Sequence, residues 1–159
     1  MSRISPCLWF DGNAEEAASF YVSLFPDSAI TSISRYGKDM PFPEGTVLLV
    51  EFTLAGQTFQ ALNGGPQFPF TEAISLSVRC ADQAEVDRLW DALTRGGAES
   101  QCGWLKDRFG VSWQIGPEAL IRLEQAGDPV ATARMFQAML GMRCLDVAAL
   151  ERAYHGLDG

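Results

Sequence analysis

Two side chains stand where chemistry is possible: Glu51, in the apolar run LLVEFTL, and Gln114, in VSWQIG. A carboxylate among apolar neighbours has a raised pKa, which suits it to abstract a proton from a substrate. Glu51 is therefore the candidate general base, set against the plainer reading of a solvent-facing strand residue. The sequence offers it no electrophilic partner. Gln114 carries an amide that donates and accepts at once, so it is either a ligand contact or a buried amide bonded to backbone. Cys7, Cys80, Cys102 and Cys144 are scattered without CxxC spacing, and the single histidine, His155, lies near the C-terminus. A cysteine nucleophile needs a base beside it, so four reduced, buried or half-buried thiols are expected instead.

Strand alternation says which polar groups share a face. In the segment 110–115, Val111, Trp113 and Ile115 point one way and Ser112 and Gln114 the other. In the segment 74–80, Ile74, Leu76 and Val78 alternate with Ser75, Ser77 and Arg79. In the segment 46–54, Val50, Phe52 and Leu54 oppose Glu51 and Thr53. The polar set, together with Asn63 and Trp104, would line a mostly apolar cleft suited to a small organic ligand. For each serine the competing reading is an ordinary satisfied hydroxyl.

These residues need elements to hold them. A strand is expected over 4–10, with Pro6 at an edge or strand start. A helix follows, capped by Asn13, with Glu15 and Glu16 in its first turn and Pro26 as its stop. Strands over 28–36, 46–54 and 57–63 complete a first module. The run GGPQFPFTE reads as a linker. The pattern then restarts: a strand over 74–80, a helix capped by Asp82, and a hairpin from 101–105 and 110–115. Asn13, Ala17, Phe20, Tyr21 and Leu24 match Asp82, Val86, Leu89, Trp90 and Leu93 at one constant offset. A duplicated β-α-β-β(-β) unit follows, its last strand left open in the sequence. Beyond it, helices are expected over 117–124, from Asp128-Pro129 to Gly141, and after Asp146. Met135, Met139 and Met142 fall on one helical stripe, which reads as core or subunit interface.

Bulk properties exclude several classes. With a net charge of -8 and no Lys/Arg cluster, neither nucleic acid nor an anionic membrane surface is an expected partner. No apolar run approaches a membrane span, and MSRISPCLWFDG carries no secretory signal, so a cytoplasmic location is expected. No GxGxxG turn is present for a nucleotide-like cofactor.

The segments PCLWFDGNAEEAASFY, LNGGPQF, EAISLSV, EVDRLW, CGWLKDRFGVSWQI and MFQAMLGMRCLDVAALERAY carry a resemblance. Through them the chain resembles the vicinal-oxygen-chelate (glyoxalase/bleomycin-resistance) superfamily. It is most similar to the PhnB-like branch, often labelled 3-demethylubiquinone-9 3-methyltransferase. The resemblance implies an α+β fold of two glyoxalase-like βαβββ modules forming a half-barrel cleft, with a C-terminal helical extension, and a homodimer. On that reading residues 1–159 form one domain: module one over 3–63, linker 64–73, module two 74–117 and helices 118–156. Metal-dependent members bind a divalent ion through His, Glu or Gln. At those positions this sequence offers Pro6, Cys7 and Leu8, then Ser75 and Ser77, then Asn63, and only Gln114 matches a ligand type. No metal and no other cofactor is therefore expected.

The expectation is a small-molecule-binding protein without a functional metal site, contacting its ligand through Leu8, Asn63, Ser75, Ser77, Trp104, Ser112 and Gln114. Two other readings stay open: a superfamily isomerase, lyase or transferase with a non-standard site, and a regulatory or interaction dimer with a vestigial cleft. The methyltransferase label finds no S-adenosylmethionine motif to support it.

Overall fold

The computed structural model describes residues 2–157. They divide into two compact units, the first ending at Phe70 and the second beginning at Thr71. The first contains β1 (Cys7–Phe10), α1 (Ala14–Leu24), β2 (Ala29–Arg35), β3 (Val47–Leu54) and β4 (Gln57–Asn63). Its sheet has the order β1-β4-β3-β2, with β1 parallel to β4 and the other pairs antiparallel. Register aligns Leu8 with Ala61 and Ala61 with Val50, so these residues share one face. That face, with Phe10, Phe52 and Phe59, is buried, as are Ala14, Ala17, Ala18 and Tyr21 of α1. Three alanines let the helix lie close to the sheet, and each fully buried Phe or Leu contributes roughly 1.5–3 kcal/mol.

Several expectations change here. The first strand begins at Cys7, not at residue 4, because Pro6 has no N–H to give the ladder; its carbonyl instead accepts from Gln60 N at 2.9 Å. Asn13 makes no side-chain cap. The start of α1 is capped from across the unit: Asn63 Oδ1 accepts from Ala14 N at 2.9 Å, while Asn63 Nδ2 donates to the Val47 carbonyl at 3.1 Å. Phe20 and Leu24, placed on the buried stripe by periodicity, are only half-buried. The run after β4 packs on the unit, with Phe68 edge-on to Trp9 and Phe70 edge-on to Phe10.

The second unit contains β5 (Ser75–Cys80), α2 (Gln83–Thr94), β6 (Ala98–Glu99), β7 (Trp104–Lys106) and β8 (Ser112–Pro117). Its strand order, β5-β8-β7-β6, repeats that of the first sheet. The α+β duplication is therefore present in full, with the two-residue β6, directly after α2, as a strand that the sequence did not mark. Asp82 caps α2 by accepting from Glu85 N at 2.9 Å, and Glu85 Oε2 reciprocates to Ala81 N. Val86, Leu89, Trp90 and Leu93 are buried, as are Leu105, Trp113 and Ile115 of the sheet. Ile74 leaves this pattern, being 72% exposed ahead of β5.

Three further helices belong to this unit: α3 (Glu118–Gln125), α4 (Pro129–Met139) and α5 (Val147–Tyr154). Asp128 and Asp146 cap α4 and α5 through their side chains. Leu123, Ala131, Met135, Leu145, Leu150 and Tyr154 form their core, with Met139 and Met142 packed on it. The methionine stripe is core. Main-chain bonds fasten this extension to the sheet: Cys102 N donates to Met142 O and Gly103 N to Arg143 O, both at 2.8 Å.

Candidate functional site

The open face of the second sheet gathers the polar residues that alternation predicts. Ser75 pairs with Ser112, Ser77 with Gln114 and Arg79 with Gly116 along β5 and β8. Trp104 of β7 pairs with Gln114. The opposite face carries Leu76, Val78, Trp113 and Ile115 at the intervening positions. Gln114 Nε2 donates to Ser75 Oγ at 2.9 Å, a diagonal contact across the parallel pair. That bond uses one of the two amide N–H groups, leaving the other and the amide oxygen for a ligand. Ser112 is 1% exposed, and its Oγ has no hydrogen-bond partner among the described residues.

Beside Gln114 lies a cleft of about 420 Å³. Ser77, Arg79, Trp104 and Gln114 line it from the sheet, and Cys102 from the turn before β7. The extension lines it with Leu120 and Ile121 of α3, Met139 of α4, and Leu145. Its size suits a small organic ligand. Its wall is apolar on the helical side and hydrogen-bonding on the sheet side. Among the described residues Arg79 is the one charged residue in the lining.

The predicted site residues therefore separate. Ser77, Trp104 and Gln114 meet at the cleft; Ser75 stands behind Gln114 as its partner, and Ser112 shares their face without lining the cleft. Leu8, Asn63 and Glu51 belong to the first unit. Leu8, 4% exposed, sits in that unit's core, and both polar ends of the Asn63 side chain are engaged in the cap and in the Val47 bond. Glu51 is half-buried on the open face of the first sheet, where its carboxylate accepts from Ser32 Oγ at 3.1 Å and Gln60 Nε2 at 3.2 Å. Those neutral donors hold the carboxylate in place but supply nothing to polarise a substrate.

Alternation marked Arg79 as facing the same way as Ser77 without giving it a role. The helical wall was not legible at all: Leu120, Ile121, Met139 and Leu145 carry the ordinary signature of amphipathic helix packing. Cys80 and Cys144 are held in the thiol form. Burial first, then the Glu85 carboxylate, pushes the Cys80 thiol up to about 12. Burial first, then Asp87, pushes the Cys144 thiol up to about 11. Cys7 is exposed, not half-buried as expected.

The donors near Gln114 do not fit a divalent ion. Among the described residues the cleft lining holds an amide, a serine hydroxyl and the single thiol of Cys102 but no carboxylate or imidazole, and it includes a guanidinium. A zinc site takes three protein ligands and hard cations take several oxygens, preferably charged. Among the described residues no cluster of three or more His, Cys, Asp or Glu could hold a metal.

Comparison with known proteins agrees with the duplicated fold. The family model described as 3-demethylubiquinone-9 3-methyltransferase matches residues 2–116. The PhnB protein from Bacillus cereus is 41% identical over 73% of this chain and 99% of its own, with a TM-score of 0.68. Protein PA1353 from Pseudomonas aeruginosa is 26% identical over 74% of this chain and 98% of its own, with a TM-score of 0.61. Among curated proteins, none matches. The chain belongs to the 3-demethylubiquinone-9 3-methyltransferase family, the PhnB-like branch of the vicinal-oxygen-chelate superfamily. No helix among the described residues is long and apolar enough to cross a membrane.

Proposed function

We propose that this protein binds a small organic molecule in the cleft of its second unit, through its own side chains and without a resident metal. The observation that carries this reading is the Gln114–Ser75 pair beside a cleft of about 420 Å³. An amide fixed by one bond, with its remaining donor and acceptor free, is preorganised to hold a ligand. Ser77 adds a hydroxyl and Trp104 an aromatic surface from the neighbouring strands. Ser112 lies behind them as part of the same polar face. Leu8 and Asn63 support the first unit, and Glu51 has no reacting role in this reading.

The donor set around Gln114 supports ligand capture over metal-assisted chemistry. Transfer of a methyl group from S-adenosylmethionine finds no support either. The strand-to-helix turns, 11–13 and 81–82, lack a glycine-rich phosphate cradle, and each sheet has a single parallel pair where a doubly wound fold has several. The reading includes a homodimer, as the resemblance implies, and a cytoplasmic location, as the sequence pattern leads us to expect.

The test is a thermal-shift screen of chelator-treated, untagged protein against small organic molecules and, separately, divalent ions. A ligand that binds the folded state raises the melting temperature in proportion to its affinity and concentration. Organic ligands are expected to do so, with the shift reduced by Gln114→Ala and by Trp104→Ala. Stoichiometric Zn, Ni or Mn surviving dialysis, or a shift that only a metal ion produces, would sink the metal-free reading. Sedimentation equilibrium decides the dimer.

A further inference from the structure

Arg79 is the feature of the cleft that ligand binding in general does not explain. The chain carries 20 acidic residues against 12 Lys and Arg. Even so, among the described residues no acidic residue lines the cleft, and Arg79, which is exposed, has no ion-pair or hydrogen-bond partner. Elsewhere in this unit Lys106 pairs with Glu72, Arg122 with Glu151 and Arg143 with Glu99. A guanidinium presents a planar fork of donors that matches a carboxylate or similar acid group two bonds at a time.

The neighbouring strand leaves room for such a group. Opposite Arg79 stands Gly116. Its backbone does not require glycine: its φ is not in the left-handed region, and an added Cβ would meet nothing closer than the Val78 carbonyl at 3.9 Å. A strand-interior glycine with no backbone reason often marks a place where a ligand comes close. Here it keeps the cleft wall bare beside the unpaired cation. Across the cleft, Leu120, Ile121, Met139 and Leu145 offer only apolar surface. This helical wall lies beyond the family match at residue 116, and the Bacillus cereus protein, aligned over 99% of its length, uses only 73% of this chain.

We infer that the cleft selects an organic monoanion with an apolar body, its acid group held by Arg79 in the space Gly116 leaves and its body lying against the C-terminal extension. With one cation in the described lining and an apolar helical wall, the cleft offers a second charge on the ligand no partner. The inference rests on the proposed ligand-binding role of the same cleft.

Calorimetry with 4-phenylbutyrate and its uncharged amide, 4-phenylbutyramide, tests it on the full chain. The acid is expected to bind at least tenfold more tightly than the amide, and Arg79→Gln to erase that difference. Arg79→Lys should restore part of it. Gly116→Val should weaken the acid without lowering the melting temperature of the free protein, and Ile121→Ser should weaken acid and amide alike. Equal binding of acid and amide, or unchanged acid affinity in Arg79→Gln, overturns the anion inference while leaving ligand binding intact. Equal or tighter binding of phenylsuccinate, a dianion, overturns the monoanion preference. If neither acid nor amide binds, the inference is overturned; if in addition no organic molecule in the screen shifts the melting temperature, the ligand-binding role falls with it.

Discussion

Asp107 is a buried polar side chain that ties the β7–β8 turn to the core, although it reads in the sequence as an ordinary turn residue. It is 3% exposed; its Oδ1 accepts from Phe109 N at 2.9 Å and Val111 N at 3.1 Å, and its Oδ2 accepts from Trp113 Nε1 at 2.9 Å. Hydrogen bonds to a charged acceptor each contribute about 1.5–3 kcal/mol, and a donor stranded in the core adds a penalty. Asp107→Ala is expected to lower unfolding free energy by about 3–5 kcal/mol, read by urea denaturation, with Asp107→Asn less severe. Asn63→Ala, which removes a helix cap and a strand bond together, is expected to lose about 1–2 kcal/mol in the same assay. The thiols give a chemical readout at this scale. With its pKa near 12, Cys80 has a thiolate fraction of only about 10⁻⁴ at pH 8, so iodoacetamide should label exposed Cys7 well before Cys80. Labelling of Cys80 at a comparable rate would contradict the burial that sets its pKa.

Among elements, the turn before β7 sets the geometry of the cleft. Gly103 has φ +83°, and an added Cβ would lie 2.8 Å from the Ile115 carbonyl and 3.1 Å from Leu145 Cδ1. Both the backbone conformation and the packing therefore exclude a side chain. Gly103→Ala is expected to destabilise the protein by about 2–3 kcal/mol and to weaken ligand binding, because the Leu145 wall must move. Local rules made most elements legible. Caps at Asp82, Asp128 and Asp146, proline punctuation and apolar periodicity located every helix to within a few residues. The cap of α1 escaped those rules because it comes from Asn63, 49 positions away in sequence. β6 escaped them because two residues cannot display an alternation. Alternation in β5 and β8 correctly grouped Ser75, Ser77, Arg79, Ser112 and Gln114 on one face, since register preserves parity between paired strands.

At the scale of the whole molecule, stability should fall on the alkaline side. Above about pH 9 the unfolded chain sheds its thiol protons, while folded Cys80 and Cys144 hold theirs to about 12 and 11. The unfolded state then binds fewer protons than the folded one, so this contribution is full below pH 9 and is lost as pH rises through the folded values. Cys80→Ala is expected to flatten the decline between pH 9 and 11 relative to the parent chain, measured as melting temperature against pH. An unchanged slope would show that Cys80 does not carry it. The duplication was readable from the sequence because cap-type and apolar residues recur at one offset, even though Asn13 makes no side-chain cap and Phe20 and Leu24 are only half-buried. The cleft was readable only in half. Its sheet side follows from strand parity, but its helical side depends on tertiary docking that no local pattern encodes.

The two main-chain bonds that fasten the extension also make a gauge. The Cys102 and Gly103 amides are tied to carbonyls of Met142 and Arg143, not to their own sheet. Whenever the extension lifts away, these two protons become free to trade with deuterium, even while Trp113 and Ile115 keep theirs. Their exchange rates relative to those sheet amides thus measure how often the cleft loses its apolar wall, one opening at a time. An organic ligand lying against that wall would slow both, and one confined to the sheet side would leave them alone.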